Sequence, residues 1–145
     1  GRVDNYMGDG LLCVFGIDGD DDAAFNAVEA GFAVLDVARD MHDYVHMIYG
    51  HEFRVRVGID IGDVIFGLMG GEGTARETVI GDIVNVASRI EAANKETGTE
   101  MLVTDAVRTR TQDRVEFGRR FNLDLRGKAG VIAAHEVLRP KGSQT

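Results

Sequence analysis

At 145 residues, 44% of them hydrophobic, the chain is long enough to bury one core, and a single domain is expected. With 16 Lys and Arg against 24 Asp and Glu the net charge is -8, which excludes a general nucleic-acid-binding surface but leaves room for a polyanionic ligand at a local group of arginines. The one cysteine, Cys13, rules out an internal disulfide, and neither a signal peptide nor an apolar run of membrane-spanning length occurs. A reducing, cytoplasmic setting is therefore expected, with no membrane contact from this chain and any anchor lying outside it.

In chain order, Arg2 to Met7 and Leu11 to Phe15 read as strands joined at "GDG", a turn between two half-buried extended segments. Taken alone, Asp9 in that tripeptide is a turn residue, and Cys13 is expected to be a core residue of the second strand. "GIDGDDDAA" then opens a helix. Phe25, Val28, Phe32, Leu35, Met41, Val45 and Ile48 recur at threes and fours, so the helix is predicted from about Asp22 to Tyr49, with Gly50 ending it. Asp18, Asp20, Asp22 and Glu29 stand at EF-hand positions, but Ala23 replaces the glycine that loop requires. A solvated acidic helix start is expected instead. His42 and His46 are one turn apart, as on a zinc-protease helix. Asp43 replaces the glutamate and no third ligand is evident, so they read as helix surface.

"FRVRVGIDIGDVIFGLMG" alternates around Gly62 and Asp63 and predicts a hairpin. The "GGEGTARE" that follows it is a flexible link without the Lys-Ser/Thr ending of a phosphate loop. Asp82 is placed to cap a helix from Ile83 to about Glu96, which Gly98 stops. "EMLVT" is a short strand, "DAVRTRT" a short helix, and "VEFGRRFNLDLRG" and "VIAAHEVL" two further strands, before a polar tail over 139–145. This order predicts an α+β domain, a mixed sheet with helices covering one face. Such a sheet would be short of one strand.

Within "TVIGDIVNVASRIEAANK", Asn85 and Arg89 are four apart on the predicted helix, so an amide and a guanidinium project from one face, one turn apart. Thr78 lies just upstream, at the mouth of that helix. By spacing alone the pair reads equally as a solvated helix face.

Four stretches together, "YMGDGLLCVFG", "VRVGIDIGDVIFGLMG", "TVIGDIVNVASRIEAANK" and "LDLRGKAG", resemble the catalytic domain of class III nucleotidyl cyclases in order and spacing, over residues 2 to 138. The resemblance implies a ferredoxin-like α+β fold over 1–138, N-terminally incomplete. The implied activity is conversion of ATP to 3′,5′-cyclic AMP and pyrophosphate. It also implies two divalent cations, Mg2+ or Mn2+, with Asp9 as one of their two aspartates. A carboxylate suits ions that prefer hard oxygen ligands. Arg56 would contact the triphosphate, and Arg126 falls where the family places a phosphate-binding residue, usually lysine; arginine can do that work bidentately. Asn85 would position the ribose, and Arg89 would stabilise charge on the α-phosphate as the ring closes. Taken alone, Arg126 reads plainly as a strand-edge charge facing solvent, and Arg56 less so, because it stands in a buried-looking hairpin.

The family's site lies between two subunits, so the resemblance implies a homodimer with shared active sites. Asp9 and Arg56 would come from one chain, and Thr78, Asn85, Arg89 and Arg126 from the other. Two departures stand out. The family's "DxxGFT" strand, which carries the other metal aspartate, does not occur, so this fragment by itself is expected to make little or no cyclic nucleotide. Asn5 stands where adenylate cyclases usually have a base-reading lysine, although Thr78 agrees with a subgroup that reads the base with threonine. ATP is the expected substrate. The alternatives are a guanylate cyclase, or a non-catalytic cyclase-like module that dimerises or binds nucleotide for regulation.

Overall fold

A computed structural model of the chain describes residues 1–71, 73, 76–125 and 130–142, the side chains at 5–7, 69 and 76–79 excepted. Strands β1 (Arg2–Met7) and β2 (Gly10–Val14) form an antiparallel hairpin in which Met7 pairs with Gly10. That register leaves Gly8 and Asp9 as a two-residue turn. The φ of 61° at Gly8 is the left-handed geometry such a turn needs, and it favours glycine. Helix α1 (Ala23–Tyr49) follows and ends at Gly50, whose φ of 70° lets its N–H reach back to the His46 carbonyl.

The alternating run over 53–70 does not fold back on itself as the sequence predicts. β3 (Val57–Ile59) pairs in parallel with β6 (Met101–Thr104), Val57 opposite Met101. β4 (Ile65–Met69) forms a separate antiparallel hairpin with β5 (Arg76–Ile80). Alternation reports that a segment has two unlike faces but not which strand it pairs with. Gly62 is not among the positive-φ glycines, so the Gly62-Asp63 pair does not form the tight turn that a hairpin there would use.

Helix α2 (Asp82–Thr97) carries the chain across to β6, as a parallel strand pair requires. Helix α3 (Asp105–Thr111) and the long strands β7 (Val115–Leu125) and β8 (Gly130–Pro140) complete a mixed sheet in the order β3-β6-β8-β7. All four residues of β6 are buried, and they alternate between two cores. Met101 and Val103 pack with Val28 and Leu35 of α1, Val107 of α3, and Val115 and Val137. Leu102 packs with Ile90 of α2 and Ala134. Helices thus cover both faces of the sheet, where the sequence predicts one. Among the described residues, no helix is long and apolar enough to cross a membrane.

The tightest approach in the fold is between β3 and α2. A Cβ built on Gly58 would stand 2.4 Å from the Glu91 backbone nitrogen and 2.6 Å from the Ala87 carbonyl oxygen, backbone atoms that no rotamer change can clear. Gly58→Ala is expected to destabilise the domain by about 1–3 kcal/mol or more through overpacking. Gly67→Ala in β4, where nothing among the described residues lies within 4 Å of the added carbon, should be close to neutral. Urea unfolding of the two variants distinguishes them, and equal stability would show that α2 can move away from β3 at little cost.

Candidate active site

Asn85 and Arg89 are both exposed, one turn apart on α2, opposite the buried Ile90 and Asn94. The helix that presents them is fixed at two points. Gly58 admits its backbone against β3 at Ala87 and Glu91. Nearer its C-terminus Asn94, 1% exposed, donates from Nδ2 to the carbonyls of Val57 at 2.9 Å and Glu91 at 3.0 Å, while its Oδ1 accepts from the Thr99 hydroxyl at 2.7 Å. A buried amide satisfied at both ends holds α2 in one register on the strand. Asp82 does not cap the helix. Gly81 holds the N-cap position without a side-chain hydrogen bond, and Asp82 is the first helical residue, where its charge complements the helix dipole.

Arg56 immediately precedes β3 and is half-buried. Gly58 faces α2, and alternation along the chain puts Arg56 on the same side of the sheet. It makes no ion pair or hydrogen bond among the described residues. Most other arginines are engaged: Arg114 with Asp22 at 2.5 Å, Arg119 with Glu136 at 3.0 Å, and Arg39 with Glu100 at 3.2 Å. A partly desolvated guanidinium without a carboxylate is suited to an anionic ligand.

Asp9 is exposed at the tip of the β1–β2 turn. Asn5 lies on β1, paired with Leu12, and Thr78 on β5, paired with Gly67, so both occupy strands of the two hairpins. Arg126 lies outside the described residues. The two hairpins meet through β1 and β5 and through Arg2, whose guanidinium lies 5.3 Å from the centre of the Phe66 ring. One chain therefore gathers Asn85 with Arg89 on α2, but it sets Arg56 just before β3 and Asp9 at the tip of a separate hairpin. As a cation ligand Asp9 is the right kind of donor. Among the described residues, however, no group of three or more His, Cys, Asp or Glu side chains could hold a metal, so Asp9 alone does not complete a cation site.

Two groups near the site were not singled out in the sequence. Asn94 stands on the polar-looking helix with no distinguishing spacing. Asp60, two residues beyond Gly58, is half-buried, and its Oδ1 accepts from the Thr104 hydroxyl and the Ile61 N–H, both at 2.8 Å. Burial pushes the Asp60 carboxyl above its ordinary range, against those two hydrogen bonds. The signal was present: a carboxylate inside the apolar "VGIDIG". It shares a strand face with Arg54 and Arg56, however, and so reads as exposed.

The remaining expectations resolve as follows. Cys13 is exposed, not in the core, because Leu12 and Val14 take the covered side of β2. The acidic helix start is not simply solvated. Asp22 pairs with Arg114, whose guanidinium also lies 3.8 Å from the centre of the Phe25 ring, and Asp20 accepts from Asn26. His42 and His46 make an edge-on ring contact at 6.0 Å on α1.

With this geometry in hand, residues 3–137 match the model of the adenylate and guanylate cyclase catalytic domain. The chain belongs to that family. It is 33% identical over 141 residues to an adenylate cyclase of Anabaena cylindrica, an alignment covering 94% of this chain and 28% of that protein. The chain thus spans little more than a quarter of that relative's length. The crystal structure of the adenylyl cyclase CyaB from P. aeruginosa superposes with a TM-score of 0.86 at 21% identity, over 99% of this chain and 74% of that one. That of the guanylyl cyclase Cya2 also gives 0.86, at 24% identity over 97% and 71%. The fold is shared by cyclases named for either nucleotide.

Asp60 generates a pH prediction. Its folded pKa lies above its unfolded one, so between the two the native state holds a proton that the unfolded state has lost. Stability must fall as pH rises through that window, just above the ordinary carboxylate range. Asp60→Asn, which keeps the acceptor for Thr104 and Ile61, is expected to remove this contribution and flatten the profile there. Urea unfolding across a pH series compares the two proteins, and parallel profiles would contradict the assignment.

Proposed function

We propose that the chain is an adenylate cyclase catalytic domain whose sites are each built from two copies, converting ATP to 3′,5′-cyclic AMP and pyrophosphate. The observation that carries this reading is the divergence of the candidate residues: Asn85 and Arg89 face outward on α2, while Arg56 is half-buried just before β3 and Asp9 stands at a hairpin tip. A head-to-tail pair of copies brings the outer face of one α2 to the hairpin and arginine of the other, forming two equivalent sites.

In this reading Arg56 offsets the charge of the triphosphate and Asn85 holds the ribose so that its 3′-oxygen lies in line with the α-phosphorus. As the new P–O bond forms and the bond to pyrophosphate breaks, the Arg89 guanidinium meets the charge gathering on the α-phosphate oxygens. Arg126 adds a further cation for the phosphates. The 3′-hydroxyl proton leaves to solvent. Mg2+ or Mn2+, when bound with Asp9 among the ligands, supplies charge neutralisation and an acidified hydroxyl. The described residues do not complete that binding set, so a further carboxylate belongs to the reading. Asn5 and Thr78 read the base. An asparagine amide offers a donor and an acceptor and can pair with the amino group and ring nitrogen of adenine.

Two experiments on the natural polypeptide test this. Asp9→Ala and Arg89→Ala should each abolish turnover, and mixing the two should restore it. With random pairing half the dimers are mixed and each keeps one intact site of two, so activity should return to about a quarter of wild type. Heterodimers that form without recovering activity would count against shared sites. Base choice is measured by the ratio of catalytic efficiencies with ATP and GTP. Wild type should favour ATP, and Asn5→Lys should keep or raise that preference; a clear preference for GTP would make the domain a guanylate cyclase and leave the family unchanged.

A further inference from the structure

The contacts that hold α2 on the sheet differ in what they fix. Ile90 against Leu102 and Ala134 is an apolar contact without direction, and it tolerates sliding. Gly58 sets how closely the helix backbone approaches β3. Asn94 sets where along the strand the helix lies, because a hydrogen bond weakens steeply away from its preferred length and angle. Its Nδ2 donates to the Val57 carbonyl at 2.9 Å, and its Oδ1 accepts from the Thr99 hydroxyl at 2.7 Å. Asn94 and Thr99 are 1% and 7% exposed, so water does not compete for these bonds.

This joint takes up both main-chain groups of Val57. The carbonyl goes to Asn94, and the N–H, which belongs to the peptide joining Val57 to Arg56, donates to the Glu100 carbonyl at 2.8 Å. On the helix side, Asn94 lies about 7.5 Å beyond Arg89 along the axis at 1.5 Å per residue. One buried amide thus binds the strand next to one candidate arginine and the helix that carries the other.

We infer that Asn94 and Thr99 are positioning residues for the reaction, setting Arg56 and Arg89 of one chain through a single joint. Both are buried, so they act through the arginines and not on the substrate. This rests on the two-copy reading of function, in which the two arginines of one chain serve different sites. A chain whose joint is loosened therefore impairs both sites of a pair, bringing a misplaced Arg89 to one and a misplaced Arg56 to the other. Misplacement by about 1 Å is enough to cost on the order of a hundredfold in rate. A change confined to Arg89 impairs one site and leaves the second intact.

The natural polypeptide, made with two different affinity tags so that mixed dimers are isolated as such, is assayed at ATP well below KM and well below the melting temperature. Wild type paired with Arg89→Ala should keep about half of wild-type activity, since one of its two sites is whole. Wild type paired with Thr99→Val, which keeps the shape and removes the hydroxyl that fixes the amide, should fall below about a fifth. Thr99→Ala should reproduce that loss, and Thr99→Ser, which keeps the hydroxyl, should return near-full activity. In amide hydrogen exchange Thr99→Val should quicken α2 and Val57 while β8 keeps its protection. Thr99→Val and Thr99→Ala mixed dimers at half of wild type or above, or unchanged exchange in α2, would overturn the inference. An Arg89→Ala mixed dimer that departs from half would instead overturn the two-copy reading, and the joint's control of both sites with it.

Discussion

The rest of this domain depends on main chain meeting main chain where β3 passes under α2. Only a residue without a Cβ fits at position 58, because the Ala87 carbonyl and the Glu91 nitrogen already occupy the space a side chain would take. From that contact follow the parallel pairing of β3 with β6, which needs α2 as its crossover, and the two-sided burial of β6. The Asn94 amide closes the same joint with polar groups, bonding the Val57 carbonyl on the strand and Thr99 just after the helix. Once the inner face of α2 is fixed in this way, Asn85 and Arg89 have no direction left but outward.

The two faces of the sheet differ in kind. Against α1 and α3 the centre is aliphatic, with Val28, Leu35, Met101, Val103 and Val107, and Phe25, Phe32 and Phe117 pack around it. Against α2 it mixes Ile90 and Leu102 with the Asp60–Thr104 pair and the half-buried Arg56. Partly desolvated polar groups also stand on the second face, beside the helix that carries the candidate residues, and there electrostatic interactions are stronger than in bulk water. The exposed pairs, Arg114 with Asp22 and Arg119 with Glu136, contribute little to stability, but they occupy arginines that would otherwise compete for an anion. In the β4–β5 hairpin Ile65 and Leu68 are each 71% exposed.

Much of this was legible in the sequence because it rests on local rules. The Gly8-Asp9 turn, the extent of α1 and its stop at Gly50, the stop of α2 at Gly98 and the one-turn spacing of Asn85 and Arg89 all follow from backbone preference and helical period. What the sequence concealed is partnership. The strands over 57–69 are each well marked by alternation, yet their partners lie at Met101–Thr104 and Arg76–Ile80, and no period records that. Cys13 was misread, and Asp60 passed over, for one reason: which side of a strand is covered depends on an element elsewhere in the chain. The family resemblance suggested residue roles that spacing could not, and among the described residues the fold sets Asn85 and Arg89 on α2 apart from Asp9 at the hairpin tip.

Arg89 is proposed to act on the transition state rather than on substrate binding. The most direct measurement is steady-state turnover of ATP by the natural polypeptide and its Arg89→Ala variant, with subunit association verified for both. The account predicts that kcat falls by about 10²–10³-fold while KM changes little, the signature of an interaction made as charge develops. An unchanged kcat, or a loss confined to KM, would contradict it.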